Sequence, residues 1–454
     1  MEADQFLTSS LRSSPHGERV ARILTAAINA VDPANALAKH LKRHADQLIV
    51  GPKSYDLEAV HRVFVLGIGK ASLPMAQAAV EILEDHLTKG ILITKSHSQL
   101  SIHHSPFTII PASHPVPDER GIEGAQRIIE LLQTTTPDDL VIFLISGGGS
   151  ALLTAPVPDV SLADLQTVNK LLLACGADIY QINTLRKHLS LVKGGNLARL
   201  AHPAQMISLI LSDVIGDPLD VIASGPTVPD PTTYTDALDI IERFDLTQDI
   251  PSSILAHLWS GASGEKPETP KEDDPIFEHT HNIIIGNNLK AAQAALEKAN
   301  QEGFNTLLLT TRIKGEAREI GPALAAIAQQ IAATGDPIPR PACIIAGGET
   351  TVTLQGDGFG GRNQELALSA VEELADLQDV FLITLATDGD DGPTDAAGAV
   401  VSGETLSQAN HRGLNHAEFL SRNAAYDFFD PLGDLLKPGP TLTNVNDLAF
   451  IFAF

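Results

Sequence analysis

Four apolar segments of this chain each run directly into a glycine-bearing turn. Short apolar runs are typical of buried strands, and glycine lets backbone N–H groups approach an anion without interference from a Cβ atom. Ligands of open α/β sheets bind beyond the carboxyl ends of the strands. The turns therefore predict an anion site, with phosphate as the first candidate: Gly67-Ile68-Gly69-Lys70, Ser146-Gly147-Gly148-Gly149-Ser150, Gly347-Gly348-Glu349 and Thr387-Asp388-Gly389.

The loop Ser146–Ser150 is the most informative of the four, because it precedes a helix-like segment, residues 151–153. A helix start there would add the positive end of its dipole to the glycine amides. The structural alternative is a tight turn that merely permits close helix packing.

The alternation of strand-like and helical segments predicts an α/β fold with a mainly parallel sheet. Strand-like runs lie at 63–69, 90–94, 107–112, 140–145 and 206–212, after a helical stretch over 16–46. The rhythm resumes beyond a polar, Pro-rich segment and continues to the chain end. We predict a Rossmann-like N-terminal domain over 1–261, a polar, Pro-rich loop or linker over 262–281 and a smaller C-terminal α/β domain over 282–454. The sheet that takes the last strand, residues 448–454, stays undecided.

Charge and composition exclude several function classes. With 31 Lys and Arg against 56 Asp and Glu, the net charge of −25 lacks the basic face that nucleic acid binding requires. No apolar run approaches the roughly 20 residues of a membrane span, and no signal-like segment opens the chain, so we expect a cytoplasmic protein. The two cysteines, Cys175 and Cys343, have no metal-ligand partner nearby in sequence.

Basic residues at strand ends and helix starts are the candidate anion ligands. Lys70 follows a strand in a turn that completes neither a P-loop nor a dinucleotide fingerprint, so it is a phosphoryl or carboxylate ligand or a solvated lysine. Arg186 and Lys193 lie in a basic stretch that binds an anion or lines a solvated helix face. Arg362 opens a helix and can hold a carboxylate or phosphate bidentately, or pair with Glu365 on the surface.

Carboxylates at strand ends are candidate bases or metal ligands. Asp213 follows the strand 206–211, and Asp388 is the first of three acidic residues within four positions. Oxygen ligands alone favour Mg²⁺ over zinc, while an Asp that caps a turn is the competing reading. His114 lies in a Pro-rich turn; it is a candidate ligand if that turn faces the same site, and otherwise it is only a turn residue.

Taken together, an ordered series of motifs along nearly the whole chain resembles the class II glycerate kinases, also called glycerate 2-kinases and formerly hydroxypyruvate reductases. The motifs are Gly67-Ile68-Gly69-Lys70-Ala71, His114-Pro115-Val116-Pro117-Asp118, Ser146-Gly147-Gly148-Gly149-Ser150-Ala151-Leu152, Arg186-Lys187-His188 with Lys193-Gly194-Gly195, Leu211-Ser212-Asp213-Val214, Ala223-Ser224-Gly225-Pro226-Thr227, Gly347-Gly348-Glu349-Thr350, Gly361-Arg362-Asn363-Gln364-Glu365, Thr387-Asp388-Gly389 with Asp391-Gly392, and Thr443-Asn444-Val445-Asn446-Asp447-Leu448.

The resemblance implies an ATP-dependent, Mg²⁺-requiring kinase that converts D-glycerate to 2-phosphoglycerate in a cleft between two α/β domains. Lys70 and Arg362 match the active-site lysine and arginine proposed for the family. With Asp213 and Asp388 they form the predicted catalytic set. The two aspartates are also the predicted Mg²⁺ ligands, and the sequence does not decide which of them is the base and which binds the metal. The predicted phosphate ligands are Ser146, Gly147, Gly148, Gly149, Ser150, Lys193, Gly348 and Glu349, and the substrate ligands are Lys70, Arg362, His114 and Arg186.

Two other functions stay open from the residues alone. An NAD(P)H-dependent hydroxypyruvate reductase needs a ribose-binding acid about 20 residues after its glycine turn, where this chain has Lys89 and Lys95. A non-catalytic nucleotide or sugar-acid binding protein would explain the glycines without the carboxylates. The sequence does not decide between 2- and 3-phosphorylation, fix the nucleotide or tell a monomer from a homo-oligomer.

Overall fold

The computed structural model describes residues 1–95 and 106–454. Their contacts divide the chain into two compact units: Pro33–Ile285, here called the central unit, and Met1–Asp32 with Gly286–Phe454, here called the terminal unit. These units differ from the predicted boundaries at both ends of the predicted N-terminal domain. The first 32 residues belong with the C-terminal half, and the segment 262–281 lies inside the central unit.

The N-terminal helices explain the first difference. Helix α1 spans Ser9–Ser13 and α2 spans Gly17–Ala30. The apolar face of α2, which includes Ile23, Leu24 and Ala27, is buried, and α2 packs on the helix Asn288–Gln301 of the same unit. Periodicity shows that this face must be buried, but it does not show which partner buries it.

The predicted linker, residues 262–281, is bonded into the central unit. Thr269 Oγ1 donates to Asp230 Oδ2 at 3.0 Å, and the Asp230 N–H donates to the Pro270 carbonyl at 2.9 Å. Its polar composition therefore reflects side-chain bonding to neighbouring loops and not a separate connecting segment.

The central unit carries nine of the described strands and nine of the described helices. The strands are β1 (Leu41–His44), β2 (Gln47–Val50), β3 (Lys53–Asp56), β4 (Arg62–Ile68), β5 (Leu87–Lys95), β6 (Phe107–Ala112), β7 (Asp139–Ile145), β8 (Gln205–Leu211) and β9 (Thr280–Gly286). The helices are α3 (Pro33–His40), α4 (Ser72–Leu83), α5 (Glu119–Leu132), α6 (Gly149–Leu152), α7 (Leu162–Ala174), α8 (Ile179–His188), α9 (Asn196–Ala201), α10 (Tyr234–Arg243) and α11 (Ser252–Ala262).

The main sheet of the central unit has the order β6-β5-β4-β7-β8-β9, and its pairs from β6 to β8 are all parallel. The parallel α/β sheet predicted from the sequence is confirmed. Strands β4 and β7 are almost wholly buried, as expected for strands covered on both faces. Strand β9, which the sequence placed in the second domain, instead forms the edge of this sheet. Strands β1, β2 and β3 form a small antiparallel sheet, and the first of them, β1, lies where the sequence predicted helix.

The rest of the terminal unit is a second α/β assembly. Its strands are β10 (Asn305–Ile313), β11 (Ala342–Gly348), β12 (Val380–Ala386), β13 (Gly398–Ser402), β14 (Leu435–Leu436) and β15 (Asp447–Ala453). Its helices are α12 (Asn288–Gln301), α13 (Ala317–Thr334), α14 (Arg362–Ser369), α15 (Thr405–His411), α16 (His416–Ser421) and α17 (Ala425–Phe429).

The last strand, β15, lies inside the second sheet, whose order is β10-β11-β15-β12-β13-β14. It runs antiparallel to both neighbours, β11 and β12, so Asp447 at its start pairs with Gly348 on one side and Ala386 on the other. The carboxyl ends of β11 and β12 and the amino end of β15 therefore meet at one edge. No helix among the described residues is long and apolar enough to cross a bilayer.

Candidate active site

In the central unit, the turns after β4 and β7 are bonded to each other. The Lys70 N–H donates to the Gly147 carbonyl at 2.9 Å, and the Ala71 N–H donates to Ser146 Oγ at 3.0 Å. Because neighbouring parallel strands end at the same edge, these bonds bring the exposed Lys70 next to the triple-glycine loop. Ser146 is itself buried and its hydroxyl bonds protein groups, which makes it a support of the loop.

The triple-glycine loop needs its glycines for close approach. A Cβ atom at Gly147 would collide with the Asp213 carboxylate, and one at Gly148, where φ is +85°, would lie 3.0 Å from the His114 ring. Neither the Gly147 N–H nor the Gly148 N–H donates to another group in the described parts of the chain. Backbone donors without an acceptor beside a cavity are suited to bind an anion.

The helix that follows this loop is shorter than the sequence suggested. Helix α6 has four residues, Gly149–Leu152. A single turn has a small dipole, so the predicted contribution of a helix N-terminus to anion binding is wrong here. The glycine amides and nearby side chains must supply the positive potential.

A cavity of about 390 Å³ lies at this edge of the sheet. The described residues that line it all belong to the central unit, and most of the predicted ligands of this unit reach it. They are His114, Ser146, Gly147, Gly148, Gly149, Ser150, Arg186, Lys193 and Asp213. Lys70 adjoins the loop through its backbone but is not among the lining residues.

Three cationic side chains line the cavity: Lys170, which is exposed, and Arg186 and Lys193, which are not. Arg186 Nε donates to Asn169 Oδ1 at 2.8 Å, and no described residue accepts from its two terminal nitrogens. Lys193 is 5% exposed and its ammonium donates to the Leu153 carbonyl. Burial, with Arg186 nearby, lowers the pKa of Lys193 to about 7, whereas Arg186 stays charged although burial lowers its pKa. A buried cation without a carboxylate partner is a strong anion ligand.

His114 is neutral at neutral pH. Burial, reinforced by the positive charges of Lys70 and Lys95, lowers the pKa of His114 to about 4. Its imidazole therefore offers one donor and one acceptor to the cavity instead of a positive charge.

The rest of the predicted basic stretch is structural. Lys187 is buried and pairs with Asp230 at 3.2 Å and Asp220 at 3.4 Å. His188 Nε2 lies 3.2 Å from Glu268 Oε2. Neither side chain lines the cavity around the triple-glycine loop, and neither forms a solvated helix face.

In the terminal unit, Arg362 is held by two carboxylates. Nε and Nη2 donate to Asp447 at 2.6 and 3.1 Å, and Nη1 donates to Glu349 Oε1 at 2.9 Å. Burial opposes its charge, but Asp447 outweighs that effect and raises the pKa of Arg362. The surface pair with Glu365 considered from the sequence is wrong, since Glu365 pairs with Arg318.

The other predicted residues of this unit lie along the same sheet edge. Gly348 ends β11 immediately before Glu349, and the half-buried Asp388 follows β12. Burial raises the pKa of Glu349. The described side chains include no group of three or more His, Cys, Asp or Glu arranged to hold a metal ion. Mg²⁺ commonly binds through one or two carboxylates and substrate phosphates, so single aspartates remain suited to it.

Sequence reasoning gave no role to Asp447, and it treated Asp391 only as one of three clustered carboxylates that could be a base, a metal ligand or a turn cap. Asp447 is a buried acid that opens an otherwise apolar strand, and that contrast is a signal visible in the sequence. Asp391 is 2% exposed and accepts from the Gln364 N–H at 2.9 Å. Burial, together with the charge of Asp447, raises the pKa of Asp391 to about 7.

Comparison with known families covers most of the chain. Residues 19–259 match a family described as a domain of unknown function, DUF4147, and residues 342–447 match the MOFRL family. A glycerate 2-kinase from Pyrococcus horikoshii is 41% identical over 428 residues, which cover 94% of this chain and 95% of that protein. A D-glycerate 2-kinase from Thermotoga maritima is 43% identical over 390 residues, covering 85% and 89%.

Two solved structures are similar to this chain over nearly its whole length. A crystal structure of a Pyrococcus horikoshii protein superposes with a TM-score of 0.85 at 40% identity, covering 96% of this chain and 98% of that one. The crystal structure of a glycerate kinase from Thermotoga maritima gives a TM-score of 0.86 at 39% identity, covering 96% and 99%. With relatives this similar over nearly the whole length of both chains, this chain belongs to the glycerate 2-kinase family.

Proposed function

We propose that this chain transfers the γ-phosphoryl group of ATP to the C2 hydroxyl of D-glycerate, giving 2-phosphoglycerate and ADP. The C2 oxygen forms a bond to the γ-phosphorus, the bond to the β–γ bridging oxygen breaks, and the hydroxyl proton passes to a carboxylate. Such a reaction demands alignment and neutralisation of charge more than covalent chemistry. The observation that carries the proposal is the cavity in which the Gly147 and Gly148 amides, Arg186 and Lys193 meet Asp213.

The central unit supplies phosphate ligands in this proposal. The amides of Gly147 and Gly148 are unbonded within the described residues, and Arg186 presents two nitrogens without acceptors. Lys70 extends from the turn that is bonded to Gly147 and bears an exposed ammonium. These donors are fixed before the reaction begins, so they lose little freedom as charge spreads over the transferring phosphoryl oxygens.

The terminal unit supplies Arg362 as a ligand for a carboxylate or phosphoryl group. Its orientation is set by Asp447 and Glu349, whose two carboxylates occupy three of its N–H donors in direct bonds. The guanidinium has five N–H donors, so others remain for a ligand. Glycerate carries the planar carboxylate that this group recognises.

The proton acceptor and the Mg²⁺ ligand are drawn from Asp213 and Asp388. Asp213 lines the cavity beside Gly147, and Asp388 follows β12 at the edge that carries Arg362. Mg²⁺, when bound, neutralises charge on phosphate oxygens. Asp213→Asn and Asp388→Asn separate the roles: loss of a base lowers kcat, whereas loss of a metal ligand raises the Mg²⁺ concentration required. Near-normal kcat and Mg²⁺ dependence in both variants would contradict this assignment.

Local structure argues against the reductase alternative. A dinucleotide fingerprint places a third glycine where this chain has Ser72, which is buried and whose hydroxyl donates to the Gly69 carbonyl at 2.8 Å. In a dinucleotide-binding fold, an acidic residue that binds the ribose lies about 20 residues after the glycine turn. In this chain strand β5, which lies next to β4, ends there with the basic residue Lys95.

The test is to incubate the protein with ATP, Mg²⁺ and D-glycerate and to identify the product by phosphorus NMR. We expect ADP and phosphate bonded to C2, with L-glycerate as the matched control substrate. Hydroxypyruvate with NADH or NADPH tests the reductase in parallel. Phosphate on C3 would overturn the regiochemistry, and nucleotide binding without turnover would favour a non-catalytic binding protein.

A further inference from the structure

Three large apolar side chains are exposed around the cavity of the central unit. Leu173 is 65% exposed, Val116 53% and Ile179 46%, and all three line the cavity. Single exposed apolar residues are ordinary, but several around one concave site indicate a surface that a ligand covers.

The apolar and cationic parts of this cavity follow one another along helix α8. Ile179 starts the helix and Arg186 lies seven residues later, so the two side chains share a face about 10 Å apart along its axis. Leu173, near the end of α7, adjoins the apolar part, and Asn169, one turn earlier on α7, bonds Arg186 in the cationic part. The cavity therefore has an apolar end and an anion-binding end.

We infer that this cavity binds the nucleoside of the nucleotide as well as its phosphates. The base contacts Leu173 and Ile179, and the phosphates contact Arg186 and the Gly147–Gly148 amides. The identity of the ligand as ATP or ADP rests on the proposed function. The division of the cavity into two ends supports this assignment, because a nucleotide joins an apolar ring to a polyanion over a comparable length.

Glycerate fits the apolar end of this cavity poorly. A three-carbon acid with two hydroxyls has almost no apolar surface, so it would leave Leu173 and Ile179 uncovered. The volume of about 390 Å³ lies in the range of sites for drug-sized ligands. A nucleobase covers the two side chains with a flat apolar ring face, and burial of that surface favours binding.

Leu173→Ser tests the apolar end, and Trp259→Ser is its matched control. Trp259 is 63% exposed on α11 of the same unit and does not line the cavity. The measurements are the affinities for Mg²⁺-free ADP and for pyrophosphate by calorimetry, and the KM values for ATP and D-glycerate. We expect Leu173→Ser to weaken ADP binding about tenfold and to raise the KM of ATP, with pyrophosphate binding and the KM of glycerate unchanged. Trp259→Ser should change none of these.

The outcomes separate this inference from the proposed function. ADP affinity that is the same in Leu173→Ser and wild type overturns the inference even if glycerate is phosphorylated. Equal weakening of ADP and pyrophosphate also overturns it, because the effect would then not come from the base. ADP binding that depends on Leu173 in a protein that does not phosphorylate glycerate upholds the nucleotide site and refutes the kinase activity.

Discussion

The Asp447 carboxylate accepts two hydrogen bonds from one side of the Arg362 guanidinium, with Oδ2 2.6 Å from Nε and Oδ1 3.1 Å from Nη2. Such a bidentate pair fixes the plane and direction of the arginine as well as its charge. Because β15 lies between β11 and β12, the sheet itself holds Asp447 at the edge where Glu349 also meets Arg362. Asp447 is therefore a positioning residue for Arg362.

Asp447→Asn should lower kcat/KM for glycerate by about thirtyfold, since a hydrogen bond to a charged group contributes about 2 kcal/mol. The side-chain amide keeps one acceptor but loses the charge and one of the two bonds. Asp430→Asn, which breaks an exposed pair with Lys437, is the control and should leave kcat/KM unchanged. Thermal unfolding separates a displaced arginine from a damaged fold. Unchanged kcat/KM in Asp447→Asn would show that Arg362 needs no such support.

Lys70→Ala should cost about 3 kcal/mol of transition-state stabilisation, which is roughly 150-fold in kcat/KM. The residue lies beyond the carboxyl end of β4, next to the loop with the unbonded amides. Lys89→Ala is a matched control, because Lys89 is also exposed but lies near the amino end of β5. A decrease in kcat/KM of less than tenfold in Lys70→Ala would contradict the catalytic role of this lysine.

The sequence predicted which turns of the central unit come together, because they are short turns after parallel strands. Once β4, β7 and β8 are adjacent, their turns must meet, so Gly147 and Asp213 come together without any knowledge of side-chain packing. Lys187 could not be separated from Arg186 in this way, since the rotation of about 100° between consecutive helix positions decides which cation reaches the cavity and which pairs with Asp230.

The cluster in the terminal unit was harder to predict because it depends on strand order. Asp447 and Arg362 are 85 positions apart, and they meet only because β15 inserts between β11 and β12. The sequence of β15 and of its flanking residues does not indicate which sheet the strand joins or where in that sheet it lies. The position of α2 could not be predicted either, since its apolar face shows that the helix is buried on one side but does not identify the helix that covers it.

Nucleotide binding should be accompanied by proton uptake at Lys193. The pKa of this lysine is about 7 in the ligand-free protein because of burial and the neighbouring Arg186. A bound phosphate favours the charged ammonium and raises that pKa, so ADP affinity should fall as the pH rises above 7. Calorimetry in buffers of different ionisation enthalpy measures the proton directly.

Lys193→Met provides the comparison for this proton, because the titration of the ADP phosphates is the same in both proteins. We expect weaker ADP binding in the variant and a smaller proton uptake near pH 8. Equal uptake by wild type and variant would mean that Lys193 does not meet the phosphates. His114 titrates near pH 4 and does not contribute in this window.

The buried Asp391 should make the stability of the fold depend on pH in a direction unusual for an aspartate. Burial and Asp447 raise its folded-state pKa to about 7, against about 4 in an unfolded chain. Below pH 4 both states hold the proton, so its effect on stability is constant there. Between pH 4 and 7 only the unfolded state releases the proton, so stability from this group is lost as the pH rises.

Asp391→Asn cannot ionise but keeps an acceptor for the Gln364 N–H. The urea midpoint of the variant should therefore rise relative to wild type between pH 5 and 8, while contributions of all other groups cancel in the difference. Asp395→Asn is the control, because hydrogen bonding from Tyr426 lowers the pKa of the exposed Asp395 and confines its effect to acid pH. A difference between Asp391→Asn and wild type that stays constant over pH 5 to 8 would show that Asp391 is ionised throughout, stabilised by Arg362 and the α14 amides more than burial disfavours it.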